Sequence, residues 1–385
     1  MHISYLDNAA TTPVDKRVLD AMLPYFSEKY GNPGSMHQKG LEAKEALEDA
    51  RKKVAELIGA DADEIFFTGS GTESDNLAII GIAKEMKGKG NHIITTNIEH
   101  HAVLDTCKAL EEEGFKVTYV PVKENGIIDP KNVEKAITGK TILITVMYAN
   151  NEIGTIQPIK EISRIAKEKG ILFHTDACQA AEYLDINVNN LGVDLMTLNG
   201  SKIYGPKGVG ILYAKKGVVL KPVIFGGGQE KGLRSGTENV PAIAGFAKAL
   251  EIAQKEKGKE PKRLEKLRDK LIEGLKKKIS EIIINGDLKN RLPNNVNIAV
   301  LGVEGESMLL HLDSKGICAS TGSACTSRSL EPSHVIKAIG LSDEASHGSL
   351  RFSLGRHTAD EDIEKVLKEL PPIVESLRKI SPIAK

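Results

Sequence analysis

The chain of 385 residues contains no tryptophan, only four cysteines and no excess of charge of either sign. Each shortage excludes something. Cys107, Cys178, Cys318 and Cys325 show no C-x-x-C spacing, which argues against a structural zinc site or a dithiol redox pair, and a disulfide framework is not expected in a chain this large. Lys+Arg and Asp+Glu both number 52, so there is no electrostatic footprint for nucleic acid or an anionic membrane. No stretch approaches the roughly 20 apolar residues that span a bilayer, and Met1 to Pro13 lack the basic-then-apolar pattern of an export signal. The expected location is the cytoplasm, and the expected partners are small molecules or another protein. The missing tryptophan, with few glutamines and abundant Lys and Glu, leans toward a thermophilic source.

What is present is a regular alternation. Strand-length apolar runs at Glu64 to Thr68, His92 to Thr96, Lys116 to Val120, Thr141 to Val146, Ile171 to Thr175, Asp194 to Leu198 and Gly208 to Tyr213 are separated by longer amphipathic segments. Those near Glu73 to Met86, Ala102 to Glu113, Pro130 to Ile137 and Ile159 to Lys169 predict helices. Alternating strands and helices give βα units wound into a largely parallel sheet. After Ala249 the texture changes, with a Lys/Glu-rich stretch leading into a helix pattern through Lys278. The expected plan is a large α/β domain over 14–255 and a smaller α+β domain made of 1–13 and 256–385.

Three local features carry chemistry. Gly69-Ser70-Gly71-Thr72 follows a strand and opens a helix, where free backbone N–H groups can hold a phosphate. The loop Asn199 to Gly208 contains Lys202 but lacks the Gly-Lys-Ser/Thr order of an NTPase. A lone lysine is usually a surface charge, yet one placed just past a strand can form a Schiff base with an aldehyde cofactor. Asp176, at the end of the strand Ile171 to Thr175, strengthens that reading. It supplies the carboxylate that would face a pyridinium nitrogen, and strand ends are where open α/β sheets bind ligands.

Longer blocks then make the resemblance specific. Tyr5-Leu6-Asp7-Asn8-Ala9-Ala10-Thr11-Thr12, Ala149-Asn150-Asn151-Glu152-Ile153-Gly154, Gly226-Gly227-Gly228-Gln229-Glu230, Leu233-Arg234-Ser235-Gly236-Thr237 and Ser320-Thr321-Gly322-Ser323-Ala324-Cys325-Thr326-Ser327 are collinear along nearly the whole chain. The sequence resembles the NifS/IscS cysteine desulfurases, which are pyridoxal-phosphate (PLP) enzymes of the class-V aminotransferase type and fold type I. The resemblance implies conversion of L-cysteine to L-alanine, with the sulfur held as a persulfide on Cys325 and passed to iron–sulfur cluster assembly.

By position, it implies that Gly71, Thr72 and the neighbouring subunit's copy of Thr237 hold the cofactor phosphate, while His100 stacks on the ring as one of the catalytic groups. Asp176 would face the ring nitrogen, Gln179 the ring hydroxyl, and Asn151 both cofactor and substrate. Arg351 would bind the substrate carboxylate, with Arg356 as a subsidiary helper. The family usually carries Ser-x-His-Lys where this chain has Asn199-Gly200-Ser201-Lys202; Asn199 and Ser201 are expected to replace those phosphate contacts through an amide and a hydroxyl.

Cys325 lies in a run of small polar residues suited to a loop-borne nucleophile. Cys107 and Cys318 suit packed positions on a helix and a strand, and Cys178 the pocket lining. A homodimer, an iron–sulfur scaffold partner of the IscU type and a role for Cys325 as a cluster ligand in such a complex also follow from the resemblance. Two alternatives share many of these residues. One is another PLP lyase or aminotransferase, such as a selenocysteine lyase; the other is a cofactor-free homologue acting as a scaffold-binding cluster-ligand protein.

Overall fold

The computed structural model describes residues 2–321 and 332–380. The strands are β1 Ser4–Tyr5, β2 Ile65–Thr68, β3 His92–Thr96, β4 Lys116–Val120, β5 Thr141–Thr145, β6 Leu172–Asp176, β7 Leu195–Asn199, β8 Gly210–Ala214, β9 Ile282–Ile284, β10 Asn295–Val300, β11 Ile317–Cys318 and β12 Ser349–Ser353. Seven of them form one sheet in the order β2-β8-β7-β6-β5-β3-β4. β8 runs antiparallel to both its neighbours, and the other pairs are parallel. The strands and helices expected between residues 64 and 215 are present, with ends displaced by no more than two residues.

Both faces of this sheet are buried, and successive side chains divide between them as the two-residue period of a strand requires. Phe67, Ile94, Ile144 and Phe173 join a core with the helices Gln38–Ile58, Ile159–Glu168 and Val240–Glu256. Phe66, Ile93 and Leu143 point the other way, against the helices Gly71–Met86 and His101–Glu112. The sequence pattern did not reveal the helix Gln38–Ile58. Its buried stripe is Ala43, Leu47, Ala50, Val54 and Ile58, and it stops at Gly59 in the left-handed conformation (φ +73°).

A second core gathers Leu6, Leu271, Leu275, Val296, Ile298, Leu350, Phe352 and Val366. It lies between the antiparallel sheet β12-β10-β9 and the helices Glu260–Lys278, Gly305–Ser314 and Asp360–Ile380. β1 pairs in parallel with β11, and Asp7 bridges to Ser353, which ties the N-terminal segment to this second region. Among the described residues no helix is long and apolar enough to cross a membrane, and no cluster of three or more His, Cys, Asp or Glu side chains is arranged to hold a metal.

Candidate active site

β2, β6 and β7 run in one direction, so Thr68, Asp176 and Asn199 reach the same edge of the sheet. The turn after β2 leads into the helix Gly71–Met86, whose N-cap Ser70 accepts from Glu73 N–H. A Cβ on Gly71 would lie 2.8 Å from Cys178 Sγ and 3.5 Å from Asn199 Nδ2. The helix N-terminus therefore abuts the ends of β6 and β7 at a point that admits no side chain. Asn199 Oδ1 accepts from Ser201 N–H (3.2 Å) and Oγ–H (3.3 Å), which leaves its Nδ2 on the side of this cradle.

Asp176 Oδ1 accepts from Cys178 N–H at 2.9 Å, which fixes the carboxylate at the strand end. Beneath it, His174 lies between the hydroxyls of Thr145 (2.9 Å) and Thr197 (3.1 Å). Burial lowers the pKa of His174 to about 4, so the ring is neutral at pH 7. Burial raises Asp75 well above the carboxylate range, raises Glu99 to about 8 and holds Cys178 as a thiol. His100 caps the helix His101–Glu112, with Nδ1 accepting from Ala102 N–H at 3.0 Å. Its pKa is lowered by burial, so the neutral ring carries its proton on Nε2, facing away from the cap.

The other side of the site is built from distant segments. Lys202 Nζ donates to the carbonyls of Ala9 and Ala10, and Gln179 Nε2 donates to Ala9 O at 3.0 Å. From β12, Arg351 donates to Asn151 O (2.9 Å) and to Asp7 Oδ1 (2.9 Å). Asn150 shapes the turn under Asn151, accepting from Glu152 and Ile153 N–H and donating to Ile98 O. Five residues after Arg351, Arg356 pairs with Glu182 (2.7 Å) and lies 4.3 Å above the Tyr204 ring. Arg356 is thus held in an ion-pair cluster with Glu182, Asp15 and Glu256.

Of the residues expected from the sequence, Gly71, Asp176, Asn199, Ser201 and Lys202 gather at the sheet edge. Gln179 meets Lys202 at Ala9, and Arg351 meets Asn151. Thr72 and Thr237 are exposed, and Cys325 lies outside the described residues. Cys107 is fully buried on its helix, whereas Cys318, expected in the core, is partly exposed on β11. Asp7, Asp75 and Glu99 were not expected in the site. Asp7 stands inside the family-like block Tyr5 to Thr12, Asp75 follows the Gly69 to Thr72 turn and Glu99 precedes His100; no local pattern marks their partners.

The pattern of the family described as Aminotransferase class-V matches residues 4–366. Cysteine desulfurase IscS of Methanosarcina thermophila is 55% identical over 379 residues, covering 98% of this chain and 94% of that protein. Cysteine desulfurase IscS of Dictyoglomus turgidum is 54% identical over 378 residues, covering 98% and 96%. A solved structure described as a NifS-like protein superposes with a TM-score of 0.92 at 41% identity, covering 98% of this chain and 100% of that one. This full-length similarity disfavours the alternative readings. The sheet-edge lysine and aspartate, the glycine cradle and the agreement along the whole chain lead to one assignment: the chain belongs to the class-V aminotransferase family, among its NifS/IscS cysteine desulfurases.

Proposed function

We propose that the protein is a PLP-dependent cysteine desulfurase that converts L-cysteine to L-alanine and holds the released sulfur on Cys325. The observation that carries this reading is the placement of Lys202 and Asp176 just past and at the ends of adjacent strands β7 and β6, beside the bare helix N-terminus at Gly71. The residues present fit the cofactor. A phosphate is matched by a helix end whose first residue cannot carry a Cβ, with the Asn199 amide beside it. A pyridinium nitrogen is matched by the anchored Asp176, and an aldehyde by the Lys202 amine.

When bound, PLP supplies an electron sink for the pair left at the substrate Cα. The chain's own groups do the rest. Arg351 and Asn151 would orient the substrate carboxylate, and Asp176 would hold a proton on the ring nitrogen. By the resemblance, Gln179 would serve the ring hydroxyl and neutral His100 would pack on the ring. Lys202 would remove the Cα proton as a general base and later return a proton to the alanine fragment. The Cys325 thiolate attacks the substrate sulfur, so that an S–S bond forms as the carbon–sulfur bond breaks and the electron pair remains on the carbon fragment.

The finer assignments rest on the same resemblance. Thr237, exposed on this chain, would contact a second copy's phosphate site, and exposed Phe26, Tyr30, Met36 and Phe225 would supply apolar surface for a homodimer. The persulfide would be delivered to an iron–sulfur scaffold of the IscU type in the cytoplasm. The division into 14–255 and 1–13 with 256–385 is supported by the two cores, since Leu6 packs with residues beyond 263. An absorption spectrum of the purified protein tests the whole reading. A Schiff-base band that shifts on adding L-cysteine is expected; colourless protein that gains no band with PLP would overturn it.

A further inference from the structure

Arg351 is more constrained than a substrate-binding arginine needs to be. Its side chain is 3% exposed; Nη1 donates to Asn151 O and Nη2 to Asp7 Oδ1, each at 2.9 Å. Nε is buried and has no hydrogen-bond partner among the described residues. A buried cationic N–H without an acceptor is unfavourable, so this edge of the guanidinium wants one, and a carboxylate is the acceptor its geometry suits. Asp7 is 20% exposed; burial raises its pKa, against the opposing charges of Arg351 and Lys202. Its backbone is fixed by the bridge to Ser353 and by Tyr5 Oη–H donating to its carbonyl.

We propose that Asp7 is a positioning and specificity-determining residue: it holds one edge of Arg351 so that the opposite edge takes a single substrate carboxylate, and its own charge selects α-amino acids with uncharged side chains. This rests on the reading of Arg351 as the carboxylate-binding residue. Asp7 already balances the guanidinium, so one incoming carboxylate gives two anions around one cation. A second anionic group on the substrate would make three in a partly buried setting, where like charges repel far more than in water. L-Cysteine, with a thiol side chain, meets the rule, and acidic amino acids do not. A purely structural ion pair between the N-terminal segment and β12 would fix the fold equally well but would not discriminate among ligands.

The test uses the PLP-loaded protein and calorimetric binding of two probes without transferable sulfur, L-alanine and L-aspartate. In the unmutated protein L-aspartate should bind at least about tenfold more weakly. Asp7→Asn keeps an acceptor for Arg351 but removes the charge, so L-alanine should bind within about threefold of its original affinity while the preference over L-aspartate shrinks below about threefold. Asp7→Ala removes the hold on Arg351 and should weaken L-alanine at least about tenfold.

Equal affinity for the two probes in the unmutated protein, or an unchanged preference in Asp7→Asn, overturns selection by charge. Unchanged L-alanine binding in a folded Asp7→Ala variant overturns positioning. If Asp7→Ala does not fold, the unmutated protein and Asp7→Asn still decide selection, and Asp7→Glu, which displaces the acceptor by one methylene, decides positioning: a fall in L-alanine affinity supports it and no change overturns it. Arg351→Ala separates the two levels. Loss of both probes upholds the reading of Arg351, whereas retained L-alanine binding sinks that reading irrespective of Asp7.

Discussion

The floor and the wall of the site are built differently. The floor is the edge of the seven-stranded sheet, where Asp176, Asn199 and Ser201 are held by hydrogen bonds within two residues of their own positions and the titratable groups below are uncharged through burial. The wall is β12 with the N-terminal segment, where Arg351 and Asp7 meet across 344 residues of sequence and Arg356 meets Glu182 across 174. A floor of short-range hydrogen bonds suits groups that must not move when ligands change. A wall of ion pairs suits selection among ligands, because the charges can be shared with an incoming one.

The largest effect should come from breaking the floor's working group. Lys202→Ala should cut alanine formation at least about a thousandfold, because one residue supplies both the cofactor attachment and the base. Circular dichroism should show the fold retained, since the Lys202 side chain donates to the Ala9 and Ala10 carbonyls and belongs to neither hydrophobic core. Near-normal turnover by the folded variant would remove Lys202 from the mechanism.

A smaller effect tests whether the floor is neutral. His174 ordinarily titrates at 6.5 and in the fold at about 4, so between these values the unfolded chain takes up a proton that the native chain refuses. Stability from this residue is complete above pH 6.5 and is lost as pH falls toward 4, by about 3 kcal/mol in all. His174→Gln should flatten that part of the stability profile in urea unfolding across pH 4–7. An equally steep profile in the variant would mean that the acid sensitivity lies in the wall's ion pairs.

Tyr204 joins the two regions and gives the smallest expected change. It lies two residues after Lys202 in the left-handed conformation (φ +60°), and its hydroxyl accepts from Arg356 N–H at 2.7 Å. Tyr204→Phe leaves that part-buried N–H without its acceptor and should cost about 1 kcal/mol of stability, measured by urea unfolding, while the ring remains beneath Arg356. Undiminished stability would show that the hydroxyl does not tie floor to wall.

This contrast also explains what was legible in the sequence. Gly71, Asp176 and Lys202 could be read because each follows or ends an apolar run, and strand ends are where an α/β sheet places its ligands. Arg351 was recognised only through the family resemblance, and its partner Asp7 could not be inferred, since nothing local connects residues so far apart. The partners of Arg356 were hidden for the same reason: Glu182, Asp15 and Glu256 come from three separate segments. The helix Gln38–Ile58 was missed because alanines make up much of its buried stripe, so its hydrophobic contrast is weak although its packing is close. Cys318 was expected in the core from its apolar neighbours, but a two-residue strand leaves it partly exposed.

Mass spectrometry of the PLP-loaded protein, alkylated after brief exposure to L-cysteine without reductant, addresses the sulfur carrier itself. The account predicts one added sulfur on Cys325, alanine in the supernatant and no protein-bound sulfur in Cys325→Ser, because a serine hydroxyl is a poor nucleophile toward sulfur. Added sulfur on Cys178 or Cys318 in the unmutated protein, or on any cysteine at undiminished yield in Cys325→Ser, would contradict it.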